Sequence, residues 1–241
     1  METKTYRTRH DYPYFLVAFR YYKNFSGMLN EFKNIKIEYI EELKKENIES
    51  LTEDNASDRL REFLKDDHVK DLGSKVFAVR TFGNIVILHS AMCLESFIND
   101  YCVVKKSGNY FKKYIEQLDV ISKWIIVPKI IANNEIPTDS RAFELLKKLV
   151  STRNKLVHPK SRELTRDDDG NKLELLAQEF VDFIEDVALC MGAVLAMLVE
   201  FKKIDPDFYY LKDYMWLWDK EAEFRNLSDI RNIFSIISSE E

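Results

Sequence analysis

Residues 145–161 read LLKKLVSTRNKLVHPKS. Phe143, Leu146, Val150, Arg153 and Val157 recur at alternating spacings of three and four, which is the stripe of an amphipathic helix. Asp139 and Ser140 are both good N-caps for that helix. His158 precedes Pro159, and a residue before proline is pushed out of the α region, so the helix is expected to end at Val157. Arg153 falls where the stripe reserves a core position, so its guanidinium should need a partner. Asn154 and His158 are four residues apart and project in one direction from neighbouring turns. An arginine, an amide and a histidine therefore meet at one helix end.

The rest of the chain repeats the helical pattern. Apolar spacing is helical almost throughout its 241 residues, with no strand pair and no internal repeat. The spacing predicts a first helix from near Tyr14 to Lys45, a loop over 47–56, and a short helix from Ser57 to about Lys65. A nearly continuous apolar helix follows from Ser74 to Val104. Ser107-Gly108-Asn109 should end it, and a further helix is expected from Tyr110 to about Ile131, kinked or broken at Pro128. After a turn at Asn133–Thr138 and the Arg153 helix comes a charged loop, Ser161–Lys172. Its Asp167-Asp168-Asp169-Gly170 reads as a turn, because Thr165 stands where a calcium loop needs its first carboxylate. A last long helix covers Leu173–Lys203. The tail from Pro206 carries Phe208, Tyr209, Tyr210, Tyr214, Trp216 and Trp218, and is expected to strap over the bundle. A base-stacking platform is the lesser reading.

The composition is 46 % hydrophobic and 32 % charged, with six Gly and five Pro, enough apolar content for a sizeable core and little room for flexible linkers. A formal net charge of −5 excludes general adhesion to nucleic acid. Leu145–Arg162, however, holds six basic residues (Lys147, Lys148, Arg153, Lys155, Lys160 and Arg162) and no acid, so −11 lies on the remainder. Positive charge collects where a phosphate would be wanted. Cys93, Cys102 and Cys190 lie in apolar helical sequence without metal or disulfide spacing and read as small buried hydrophobes. Met1–Asp11 lacks the apolar core of a signal peptide. The uncharged run Val187–Val199 is about a third short of the ~20 residues that span a bilayer. The expected setting is the cytoplasm, with no membrane.

Glu95 lies in the most apolar helix, where a lone charge is not tolerated. It is expected to contact Arg153 or to support the site from behind it rather than to react directly. His89 reads as a satisfied core histidine. No set of His, Cys and carboxylate residues has metal-ligand spacing, no Gly-rich loop cradles a nucleotide, and no Ser or Cys nucleophile signature is present.

Arg153-Asn154-x3-His158 at a helix end, together with 88–102 (LHSAMCLESFINDYC), resembles the HEPN superfamily. Its Arg-x4–6-His signature is matched by the first segment. A Leu-Glu-aromatic-Ile-Asn pattern is matched by Leu94, Glu95, Phe97, Ile98 and Asn99. The resemblance covers roughly Ser74–Lys203. It implies an all-α, four- to five-helix up-and-down bundle that forms a homodimer through its motif helices. Added to it are an N-terminal helical extension over 1–73 and a C-terminal strap over 205–241, flanking a bundle at 74–204. Many such proteins are metal-independent endoribonucleases of toxin–antitoxin, antiviral-defence or RNA-processing systems, and no cofactor is implied. Carried to this chain, His158 is the general acid or base, Arg153 stabilises charge on the phosphorane, and Asn154 positions the phosphate or orients His158. Lys147, Lys155, Lys160 and Arg162 would bind RNA, and an antitoxin or other regulatory protein is an expected partner. Cleavage would leave a 2′,3′-cyclic phosphate and a 5′-hydroxyl. In one toxin branch a tyrosine stands two residues after the histidine; Lys160 holds that place here, which argues against control by adenylylation. The alternative is a non-catalytic helical module that binds a nucleotide, RNA or a partner protein.

Overall fold

The structure, a computed structural model, describes the backbone of residues 9–45, 67–158 and 172–214, and the side chains of 9–34, 70–158 and 178–214. The expected Ser57–Lys65 helix, the Asp167–Gly170 turn, Lys160, Arg162, Trp216 and Trp218 lie outside these residues. Among the described residues the chain is all α, with no strand. Its elements are α1 (Asp11–Lys45), α2 (Asp67–Lys105), a short α3 (Gly108–Tyr110), α4 (Val120–Ala132), α5 (Arg141–Val157) and α6 (Lys172–Ile204). A π-helical turn, Phe111–Ile115, continues α3, and a 3-10 helix, Tyr209–Tyr214, follows α6.

The chain divides into two units. One holds residues 1–20 and 84–241, and the other 21–83, so α1 and α2 each pass from one to the other. In the smaller unit Tyr22, Phe25, Leu29 and Val79 are buried. There the Tyr21 and Phe82 rings meet at 5.8 Å, and Lys75 pairs with Glu31.

The larger unit is built around Phe97 of α2. The Trp124 ring lies parallel to it at 5.9 Å, while Phe201 of α6 and Phe208 meet it edge-on at 4.9 and 5.7 Å. Edge-to-face contacts of this kind set positive ring edges against negative ring faces, which adds to the gain from burial. Tyr214 of the 3-10 helix joins the cluster through Phe97 and Phe15 of α1, and Tyr210 joins it through Phe208. By length and composition 70–105 would also suffice to cross a membrane, with a mean hydropathy of 1.4 in its most apolar window, 33 % of which is buried.

The helix expected over Tyr110–Ile131 is interrupted well before Pro128. The break falls between Ile115 and Val120 because Asp119 takes over as an N-cap. Its carboxylate accepts from Ser122 N at 3.0 Å and from Ser122 Oγ at 2.6 Å. Pro128 sits inside α4 without ending it. Burial of Trp124, Val127 and Pro128 itself outweighs the one backbone bond a proline removes. Asn133 closes α4 in the left-handed region, φ 52°, which asparagine tolerates better than most residues.

Asp119→Ala should lower stability by about 1 kcal/mol, as read by urea denaturation. The Ser122 bonds hold the Asp119 carboxyl below its ordinary value of 3.8. The cap therefore contributes fully above that pH, and its contribution is lost as the pH falls through the folded value. A cost that is the same well below pH 3.8 as at neutrality would contradict the capping role.

Candidate functional site

Ser140 begins α5. Its hydroxyl accepts from Phe143 N at 3.3 Å and donates to Pro137 O at 2.7 Å. The helix then buries Ala142, Phe143, Leu145, Leu146, Leu149 and Thr152, and there its packing stops. Leu156 is half-buried and Val157 is 43 % exposed, so the last turn projects beyond the core. His158 caps the helix with φ −123° and ψ 66°, donating its backbone N–H to Asn154 O at 2.9 Å. Such a break from helical ψ is what a following proline enforces.

Arg153 keeps the core-facing direction that the stripe predicts, yet it is only half-buried. The expectation of a core guanidinium is thereby corrected: the neighbouring layer ends one residue earlier, and water reaches the charge. Its Nη1 donates to Asn154 Oδ1 at 3.0 Å. Asn154 and His158 are exposed. At about 100° per residue they lie about 40° apart around the helix axis. The structure thus brings Arg153 and Asn154 into contact and places His158 on the next turn, all open to solvent.

The other candidates are distributed differently. Glu95 does not reach Arg153; its partner is Lys123, with Oε1 3.4 Å from Nζ. The reason is the parallel packing of Trp124 on Phe97, which seats the preceding residue of α4 beside α2. Lys123 is only 4 % exposed and Glu95 41 %, so the ammonium is the group that depends on the pair. Glu95→Ala should therefore cost about 1–2 kcal/mol, whereas Lys123→Met should be close to neutral. Chemical denaturation of both variants checks this asymmetry; equal costs would contradict it.

Lys147 reaches back to Thr138 O at 3.2 Å, with its ammonium 5.0 Å from the Phe143 ring, away from the histidine end of α5. Lys155 is exposed beside Asn154. Lys148 binds Asp186 of α6 at 2.6 Å, and Thr152 Oγ1 donates to the same carboxylate at 3.3 Å. The positive charge counted in 145–162 is accordingly reduced by one compensated lysine. Asp186 was missed in the sequence, although a carboxylate between Ile184 and Val187 of an apolar helix was a signal that a partner faced it.

All three cysteines are buried. Burial raises the thiols of Cys93 and Cys102, and pushes that of Cys190 up to about 12, so none supplies a thiolate at neutral pH. His89 Nδ1 lies 2.9 Å from Ile85 O of its own helix. Among the described residues no group of three or more His, Cys, Asp and Glu side chains is placed to hold a metal ion. What the α5 end offers is one imidazole, one guanidinium and one amide in solvent, a set suited to binding a phosphodiester and moving a proton beside it. No protein-family model, no curated protein and no solved structure matches the chain.

Proposed function

We propose that this chain is a metal-independent endoribonuclease of HEPN type, active as a homodimer through its α5 helices and serving in a toxin or phage-defence system. The observation that carries the reading is the exposed end of α5, where Arg153 bonds Asn154 and His158 follows on the next turn. In the reaction, the imidazole of His158 takes the proton of a ribose 2′-hydroxyl. The 2′ oxygen bonds to phosphorus, the bond from phosphorus to the 5′ oxygen breaks, and that oxygen leaves with the proton the imidazole has taken. The products are a 2′,3′-cyclic phosphate and a 5′-hydroxyl. The guanidinium of Arg153 opposes the charge that grows on the non-bridging oxygens, and Asn154 holds that guanidinium in place. Lys155 adds attraction for the RNA backbone, with Lys160 and Arg162 following in sequence. Glu95 stands outside this set, supporting Lys123 instead. The reading takes α2 as a core helix of a cytoplasmic protein, supported by the full burial of Leu94, Phe97, Ile98 and Tyr101. A regulatory antitoxin is part of the same proposal.

The test is incubation of purified wild type and His158→Ala with labelled total RNA in EDTA. Cleavage by the wild type alone, with cyclic-phosphate ends, is the expected result. Folded proteins that both leave RNA intact, or that both cleave it equally, would overturn the assignment. The first outcome would turn attention to a non-catalytic binding module.

A further inference from the structure

We infer that the surface formed by Lys106, Tyr110, Lys112, Lys113 and Tyr114 binds single-stranded RNA, apart from the α5 motif. Residues 105–114 read KKSGNYFKKY, with four lysines, three aromatic residues and no acid, in a chain whose net charge is −5. Lys105 is committed to Asp205 at 2.6 Å. Lys106, Lys112 and Lys113 stand exposed.

The local backbone explains why they do. Ser107 Oγ accepts from Tyr110 N at 3.0 Å and starts α3. The chain then widens into the π turn, in which Glu116 N donates to Phe111 O at 2.9 Å. Phe111 lies 5.7 Å from the buried Lys123 ammonium, and Ile115 is buried, so both turn inward. Lys112, Lys113 and Tyr114 are left facing out in succession. π turns of this sort recur at functional positions.

The rings decide what the lysines are for. Tyr114 is 55 % exposed, so its ring is open to a stacking partner. Tyr110 meets it at 5.0 Å and an angle of 51°, and the Lys113 ammonium lies 5.1 Å from its centroid. An exposed ring set against a half-buried one, with lysines beside them, matches the two faces of a nucleotide strand, bases that stack and phosphates that attract. An acidic protein would use the lysines and leave Tyr114 idle. A lipid surface calls for Trp, Phe or Leu side chains to insert, and the one such residue in 105–114, Phe111, turns inward toward Lys123.

The inference rests on the ribonuclease reading for its choice of RNA, and its test separates binding from cleavage. A short, unstructured, fluorescein-labelled 2′-O-methyl uridine strand has no free 2′-hydroxyl and stays intact. Its affinity for the full chain is measured by anisotropy over a series of salt concentrations. The variant Lys106→Gln/Lys112→Gln/Lys113→Gln should bind about tenfold or more weakly, with the salt slope reduced by about 2. Tyr114→Ala should also lose about tenfold, while Tyr114→Phe, which keeps the ring, retains wild-type affinity. All these positions are exposed, and circular dichroism confirms that each variant is folded. Unchanged affinity in either the lysine or the alanine variant overturns the inference, as does failure of the wild type to bind. Tighter binding to phosphatidylserine vesicles than to the strand, lost in the same variants, reassigns the surface to lipid and overturns it as well. Failure of His158-dependent cleavage leaves this result standing, and the converse holds.

Discussion

His158→Ala is expected to slow the proposed RNA cleavage by a factor of about 10²–10⁴, the range over which a positioned general acid or base acts. The residue is well suited to a clean test. It follows the last helical residue of α5, is exposed, and contributes to the fold through its backbone N–H, which alanine keeps. Thermal unfolding of the variant should therefore coincide with that of the wild type, so lost activity cannot be ascribed to a lost fold. Arg153→Lys adds a second reading of the same site. Lysine keeps the charge and loses the planar fork that can bond Asn154 and a phosphate at once. Substantial loss of cleavage with binding of a non-cleavable strand preserved is the expected pattern. Full activity in His158→Ala would remove the imidazole from the mechanism, whatever Arg153→Lys does.

Asp11→Ala is expected to cost about 3–5 kcal/mol, the penalty for stripping one partner from a buried charge pair. Asp11 is fully buried. Its carboxylate accepts from Arg9 Nε at 2.6 Å, from Arg9 Nη2 at 2.8 Å and from Tyr214 Oη at 2.6 Å. Arg9 also donates to Tyr210 O at 3.2 Å, pairs with Asp213, and lies 4.2 Å from the Tyr210 ring centroid. Burial works against the Arg9 charge, yet the bonds to Asp11 win and raise its pKa. Burial, with Cys93 and Asp11 beside it, pushes the Tyr214 hydroxyl far up, so it remains a donor. Without the carboxylate, a buried hydroxyl loses its acceptor and a mostly buried guanidinium is left with Asp213 and the Tyr210 carbonyl alone. Urea denaturation should show the full loss in Asp11→Ala. Arg9→Met/Asp11→Leu, which removes both charges, should recover most of it. A single-variant cost under about 1 kcal/mol would mean that water replaces the carboxylate and the network contributes little.

The contrast between these two sites shows what a sequence conveys. The α5 end was legible because its determinants are local: Ser140 three residues before Phe143, Pro159 next to His158, Asn154 and His158 on successive turns. Both bounds of α6 and the C-terminal bound of α2 were legible within one residue for the same reason, as periodicity is a local property, whereas α2 begins at Asp67, in polar sequence ahead of the apolar run expected from Ser74. The break before Val120 went unread because a proline looks like a stronger signal than an aspartate cap, and burial of α4 reversed that order. Partner choice was not legible. Glu95 with Lys123 and Lys148 with Asp186 are 28 and 38 residues apart, and nothing in the spacing says which helix faces which. The half-burial of Arg153 was hidden likewise, because where a core ends along a helix depends on the neighbouring helix.

Asp11 and Tyr214 are separated by 203 positions in the chain. A ribosome therefore delivers Arg9, Asp11 and Phe15 long before the residues that cover them, and synthesises 21–83 in between. The nascent N-terminal segment carries its carboxylate and rings exposed to water until nearly the whole described chain has emerged. The network therefore closes only after Tyr214 has been made, so the docking of Arg9 and Asp11 is a late, long-range step of folding.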